Sequence, residues 1–166
     1  MELALRRIVS GGQTGADRGA LDAAIDLGVE HGGYCPAGRR AEDGQIPDRY
    51  RLVATASADY AERTERNVVE SDGTLLVTRG APAGGSALTA ALTRRHVRPL
   101  LHIDLDEPAA PGEREAAIRE WLAARRIQIL NVAGPRESGC PGIAHEVRAL
   151  LHGVLAGQRG FFQNCR

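Results

Sequence analysis

Three stretches of the sequence combine glycines with Ser or Thr and an Arg. They are SGGQTGADRG over Ser10–Gly19, TRGAPAGGSAL over Thr78–Leu88 and NVAGPRESGCPG over Asn131–Gly142. Glycines let backbone N–H groups approach a ligand with no side chain in the way. A helix start adds unpaired N–H donors and a partial positive charge. Together these suit an anion, above all a phosphate. Arg18, Arg79 and Arg136 offer charge-assisted hydrogen bonds to the same anion. Each stretch alone reads equally well as a tight turn; the three together favour a binding edge.

The named phosphate patterns fail in informative ways. GxxxxGK[ST] is absent, and the chain contains no lysine. Nucleoside triphosphate hydrolysis of the P-loop kind is therefore disfavoured. The first run is Gly11-Gly12-x-x-Gly15 rather than GxGxxG, so a conventional dinucleotide fingerprint is unsupported. Cys35, Cys140 and Cys165 are widely spaced, form no zinc pattern, and predict no metal site. No Ser/His/Asp or Cys/His nucleophile set assembles. Glu42, Asp43 and Glu137 are the candidate acids or bases if the chain is hydrolytic.

Other charged residues have plainer readings. GGYCPAGRRAEDGQIPDRY, Gly32–Tyr50, carries Arg39, Arg40, Glu42, Asp43 and Asp48. It is either a solvated surface or a flap that brings Arg39 or Arg40 to the anion edge. Cys35 reads as a small core residue. Glu62, Arg63, Glu65 and Arg66 read as a solvated helix face with i,i+3 pairs, while Asn67 could face a neighbour. His96 and His102 read as structural.

The elements that must position these residues alternate along the chain. Ile8–Ser10 is a short strand, followed by a helix marked by Leu21, Ala24 and Ile25. Thr14-x-x-Asp17 resembles a capping box, with Asp17 as the cap carboxylate, and Gly28 suits the helix end. Val29–Cys35 is a weaker strand, and a helix over about 58–71 follows the long polar segment. Thr74–Thr78, Pro99–Leu105 and Ile127–Ala133 are strands. Helices between and after them carry Leu88, Ala91 and Leu92; Ile118, Trp121 and Leu122; and Ile143, Val147, Leu150, Leu151 and Val154. This predicts an α/β single-domain, three-layer fold with a mainly parallel sheet flanked by helices. In such a sheet all three glycine-rich stretches leave strand carboxyl ends, where ligands bind.

Composition sets the outer bounds. A chain of 166 residues makes one domain, expected over 1–157, with a tail at 158–166 whose Gly160–Phe162 could bury itself in an interface. Lys+Arg and Asp+Glu balance at 21 each, so no global field favours nucleic acid or an anionic membrane. The start is too short in apolar residues for a signal peptide, and no stretch approaches a membrane span. Unpaired thiols fit a cytoplasmic protein.

SGGQTGADRGALDAA, GGYCPAGRRAEDGQIP, ERTERNVVESDGTLLV, GGSALT and LNVAGPRES occur in this order, from about Ile8 to about Leu151. Together they resemble the putative molybdenum carrier family, Rossmann-like proteins related to the phosphoribohydrolase superfamily. The resemblance implies a protein that holds molybdenum cofactor, a pterin with a terminal phosphate and a metal-holding dithiolene. It implies Gly11, Gly12, Thr14, Gly15, Gly84, Gly85 and Ser86 as ligand contacts, and after them Arg39, Arg136, Glu137 and Ser138. Gln13 and Arg18 complete the expected binding set, with a partner chain as the alternative for Arg18. The resemblance also implies a homo-oligomer, dimer or tetramer. Phosphoribohydrolases carry PGGxGTxxE where this chain has AGGSALTAA, without the Glu. A carrier for a phosphorylated ligand is thus the leading expectation. A nucleotide-processing hydrolase is second, and a ligand sensor is a weaker third.

Overall fold

The computed structural model describes residues 2–157. The expected tail, with Gly160–Phe162 and Cys165, lies outside the described residues. In chain order the first elements are β1 (Arg7–Val9), α1 (Ala16–Leu27), β2 (Glu30–Gly32) and β3 (Tyr34–Cys35). A 3-10 turn (Ala37–Arg39), β4 (Arg40–Ala41), β5 (Gly44–Gln45) and β6 (Val53–Ala54) follow. Then come α2 (Tyr60–Val69), β7 (Gly73–Thr78), α3 (Gly84–Arg95), β8 (Leu100–Asp104), α4 (Glu113–Ala124), β9 (Ile129–Ala133) and α5 (Ile143–Leu155).

The central sheet is parallel with order β2-β1-β9-β7-β8. Counting from β9 instead of β1 turns this order into 3-2-1-4-5, the arrangement of five Rossmann strands. The strand that a Rossmann chain makes first comes last among the described strands here. One sheet face carries α1, α4 and α5, which close over Ile8, Leu75, Val77, Leu130 and Val132. The other carries α2 and α3, packed side by side. Every residue of β7 is buried, as its run GTLLVT requires of a strand covered on both faces.

Glycine decides where the second expected strand breaks. Gly33 has φ +121, and a Cβ there would fall on the carbonyl oxygen of Ser10. The chain bends at this point, so Val29–Cys35 becomes two strands, β2 and β3. Asn67 of α2 secures the second one: its side chain accepts from the N–H of Tyr34 (2.8 Å) and donates to the C=O of Tyr34 (3.0 Å). Asn67 therefore does face a neighbour.

The long polar segment packs through its few apolar residues, while Arg40, Glu42, Asp43 and Asp48 stay exposed. Ile46, Tyr50 and Leu52 form a second small core with Leu21 and Cys35. Cys35 is fully buried there, and burial pushes its thiol pKa up. Arg39 sits at φ 54 and donates to the carbonyls of Ile46, Pro47, Tyr50 and Leu52. Its guanidinium braces its own loop.

Two helices bury different faces from those expected. α3 turns Ser86, Thr89, Ala90, Leu92 and Thr93 inward and leaves Leu88 37 % exposed. Small and hydroxylated residues allow this, because the Thr89 and Thr93 hydroxyls bond back to helix carbonyls. In α1, Leu21 and Ala24 are buried but Ile25 is 42 % exposed.

Candidate functional site

β1, β9 and β7 are neighbours, so the three glycine-rich turns that follow them share one sheet edge. The turns use their glycines differently. In the first, a Cβ on Gly11 would meet the Arg63 guanidinium, and one on Gly12 (φ +77) would meet Leu52 and Ile46. A Cβ on Gly15 (φ +83) would meet the backbone of Pro135–Glu137. These glycines let three pieces of chain close over one another.

Several polar groups of the first turn are paired internally. Asp17 accepts from the N–H of Gln13 (3.1 Å) and from Arg63 (3.2 Å). The N–H of Thr14 bonds to Gln13 Oε1, and the N–H of Ala16 to the Pro135 carbonyl. The helix starts at Ala16 with Gly15 as its cap residue, so Thr14 is not the cap of a capping box. Its hydroxyl bonds to Glu42 instead. Asp17 is buried, which raises its carboxyl pKa, while the nearby Arg63 charge pulls the other way. Arg18 donates to the Gly12 carbonyl (3.2 Å) and forms a bidentate pair with Asp43 (2.5 and 2.7 Å).

Arg63 is the residue that sequence reading missed. It belongs to no solvated face: its side chain is 13 % exposed, and its Nε is buried without a partner. The Nε2 of Gln13 is likewise buried and unpaired. The signal was available. Tyr60, Arg63, Thr64, Asn67 and Val68 fall at i, i+3, i+4, i+7 and i+8, the spacing of an inward stripe.

The third turn is also tied down. Glu137 accepts from the N–H groups of Gly142 (2.5 Å) and Ala144 (3.1 Å), so its carboxylate caps the start of α5. Ser138 donates to Glu42 through its N–H (3.2 Å) and its hydroxyl (2.5 Å). Glu42 thus clamps the first turn to the third, and the hydroxyls of Ser138 and Thr14 hold its carboxyl below the usual range. The Arg18 contact does the same for Asp43. The Arg136 guanidinium lies 5.0 Å from the centroid of the Tyr60 ring.

The second turn is open. The cap residue of α3, Ala83, makes no side-chain hydrogen bond. Gly84 and Gly85 have nothing within 4 Å of where a Cβ would stand. Their N–H groups have no acceptor among the described residues. Ser86 is only 4 % exposed, and its hydroxyl also has no partner among the described residues. Ser86 lines a cleft of about 400 Å³ between the second and third turns, and Gly84 and Gly85 lie between it and the lining residue Ala83. Arg79, Ala83 and Ser86 form one wall, and Pro135, Cys140 and Pro141 the other. That size falls within the roughly 300–1,000 Å³ of small-molecule sites.

The cleft lies between β7 and β9, where the strand order reverses when counted from β9. Open α/β sheets bind ligands at such a switch point. Of the expected binding residues, the cleft wall includes Ser86, and Gly84 and Gly85 adjoin it. Gly11, Gly12, Gln13, Thr14, Gly15 and Arg18 sit one strand away in the closed first turn. Arg136 and Ser138 stand on the third turn, on its Tyr60 and Glu42 side. Burial raises the Cys140 thiol, so it faces the cleft as a neutral group. His102 bonds Thr78 Oγ1 (2.7 Å), and His96 bonds Glu65 (2.7 Å), as structural histidines do. Among the described residues, no group of three His, Cys, Asp or Glu side chains is placed to hold a metal ion. No described helix is long and apolar enough to cross a membrane.

A solved structure from Syntrophus aciditrophicus SB, named a putative molybdenum carrier protein, is 44% identical to this chain with a TM-score of 0.91. The match covers 93% of this chain and 98% of that one. No curated protein matches the sequence. A family model described as the circularly permutated YpsA SLOG family matches residues 8–155, a permutation that the displaced β9 shows directly. By sequence, strand order and overall structure, the chain belongs to that family.

Proposed function

We propose that this protein binds and carries a small molecule bearing a phosphate, held at the start of α3 in the cleft. The unpaired donors of Gly84, Gly85 and Ser86 carry this reading. Two backbone N–H groups, one hydroxyl and the positive helix end offer a phosphate several hydrogen bonds at once. The rest of the ligand extends along the sheet edge towards Tyr60. Arg136 stands there with no carboxylate salt bridge among the described residues, and the Arg63 guanidinium lies over the same Tyr60 ring.

Molybdenum cofactor is the ligand we assign, with a related phosphorylated pterin or nucleotide as the wider class. The name of the Syntrophus relative supports this choice. The protein would hold the phosphate and pterin, while the dithiolene holds the metal. Binding without hydrolysis is supported by the engagement of all three candidate carboxylates. Glu42 clamps two turns, Asp43 pairs with Arg18, and Glu137 caps α5.

The test is to make the protein in a host that produces molybdenum cofactor, release what it holds, and assay pterin fluorescence and molybdenum together. Stoichiometric pterin and metal are expected. No pterin on the isolated protein, and no uptake of added cofactor, overturns the assignment. Release of base from nucleoside monophosphates, lost on Glu137→Gln, would move the reading to a hydrolase.

A further inference from the structure

The charges around the cleft restrict what it accepts. Arg79 is the only charged side chain on the described cleft wall. Its guanidinium is already engaged. Nη1 bonds to Asp106 (2.7 Å), Nε to Glu146 (3.2 Å), and Nη2 to the second oxygen of Glu146. All its nitrogens therefore face carboxylates. Asp104 stands beside this group, with its carboxyl pKa lowered by the N–H groups of Asp106 and Gly80. The chain offers no lysine as a substitute cation.

We infer that Asp106 and Glu146, by holding Arg79 against the cleft wall, restrict the cleft to ligands with a single phosphate group and reject pyrophosphate and longer chains. This inference rests on the proposed phosphate site at α3. The donors there match one phosphoryl group: two N–H groups, one hydroxyl and about half a unit of helix charge. A second phosphoryl group on the Arg79 side would find a guanidinium already bonded, backed by carboxylates of its own sign. Like charges brought together in a partly enclosed site repel, and opposed potentials suppress wrong ligands. Asp106 and Glu146 would thus determine specificity without touching a monophosphate.

The experiment follows the amide signals of Gly84 and Gly85 in nitrogen-15 correlation spectra during titration with inorganic phosphate, pyrophosphate and tripolyphosphate. It uses the wild-type protein and the double variant Asp106→Asn/Glu146→Gln. Both carboxylates are partly exposed on the surface, at 55% and 34%, and the changes preserve side-chain size. In the wild type, phosphate is expected to bind at least tenfold more tightly than tripolyphosphate. In the double variant the freed Arg79 is expected to raise tripolyphosphate affinity at least tenfold, with phosphate affinity within about threefold of wild type. Equal or tighter tripolyphosphate binding in the wild type overturns the inference. So does an unchanged ratio in the double variant. In those two cases the phosphate site itself survives, because the Gly84 and Gly85 signals still move. If none of the three anions shifts them, the phosphate site falls and the inference falls with it.

Discussion

At the β1→α1 turn, the Arg63 guanidinium covers Gly11, and Gly15 is pressed against the backbone of the third turn. At the β7→α3 turn, Gly84 and Gly85 face open space. The two stretches are similar in composition and lie on one sheet edge. They show two uses of the same residue. In the first turn glycine admits another part of the chain, which covers it. In the second it leaves N–H groups uncovered beside a cleft. What separates a covered glycine from an open one is the piece of chain that packs on it, and that piece comes from elsewhere in the sequence.

The largest effect should come from breaking the first turn. Arg63→Leu leaves the Asp17 carboxylate buried without its counter-charge. Urea unfolding near neutral pH should show a loss of about 3–5 kcal/mol. The deficit should shrink in acid. Burial raises the Asp17 pKa, so its contribution is most favourable below about pH 4 and is lost as pH rises through the folded value. An equal deficit at every pH would contradict the buried pair.

Gly15→Ala should come next, at about 2–4 kcal/mol in the same assay, from a positive φ and a Cβ set into the backbone of the third turn. The second turn should respond in the opposite sense. Gly85→Asp adds a carboxylate to the first turn of α3, where it favours the helix and repels an anion. Stability should hold or rise by about 0.5 kcal/mol, while phosphate affinity should drop at least tenfold. A stable variant that binds as before would remove the distinction between the two turns.

The smallest effect should be local. Glu42→Gln keeps the shape of the clamp but removes its charge. Amide signals of 36–51 should shift while the unfolding midpoint barely moves. In the unaltered protein the clamp should persist through the ordinary carboxylate range, about pH 3.9–4.3. The folded pKa values of Glu42 and Asp43 lie below their usual ones, so their contributions are present above that range and are lost as pH falls through the lower values. Opening at higher pH would mean that the clamp is not formed in solution.

The alternating pattern carried most of the fold, because runs such as GTLLVT and the α5 stripe of Ile143, Val147, Leu150 and Val154 bury themselves by local periodicity alone. The placement of all three turns on one edge followed from the same pattern. The strand order did not, since nothing near Ile129 marks it as the strand that inserts between β1 and β7. Arg63 read as solvated because its partner Asp17 lies 46 residues away. The carbonyls that engage Arg39 become acceptors only once the loop has folded around it. Glu137 looked catalytic by type, yet its neighbours in space are the N–H groups of α5.

The late position of β9 also bears on how the molecule comes into being. While a ribosome has released only the residues before Ile129, β1 and β7 have no strand between them. Each presents a bare row of backbone donors and acceptors, the kind of edge that recruits other chains. The cleft has one wall at this stage, because Pro135, Cys140 and Pro141 are not yet made. An interrupted translation product would therefore be sticky, and the cleft stays half-built until Pro135, Cys140 and Pro141 have been made.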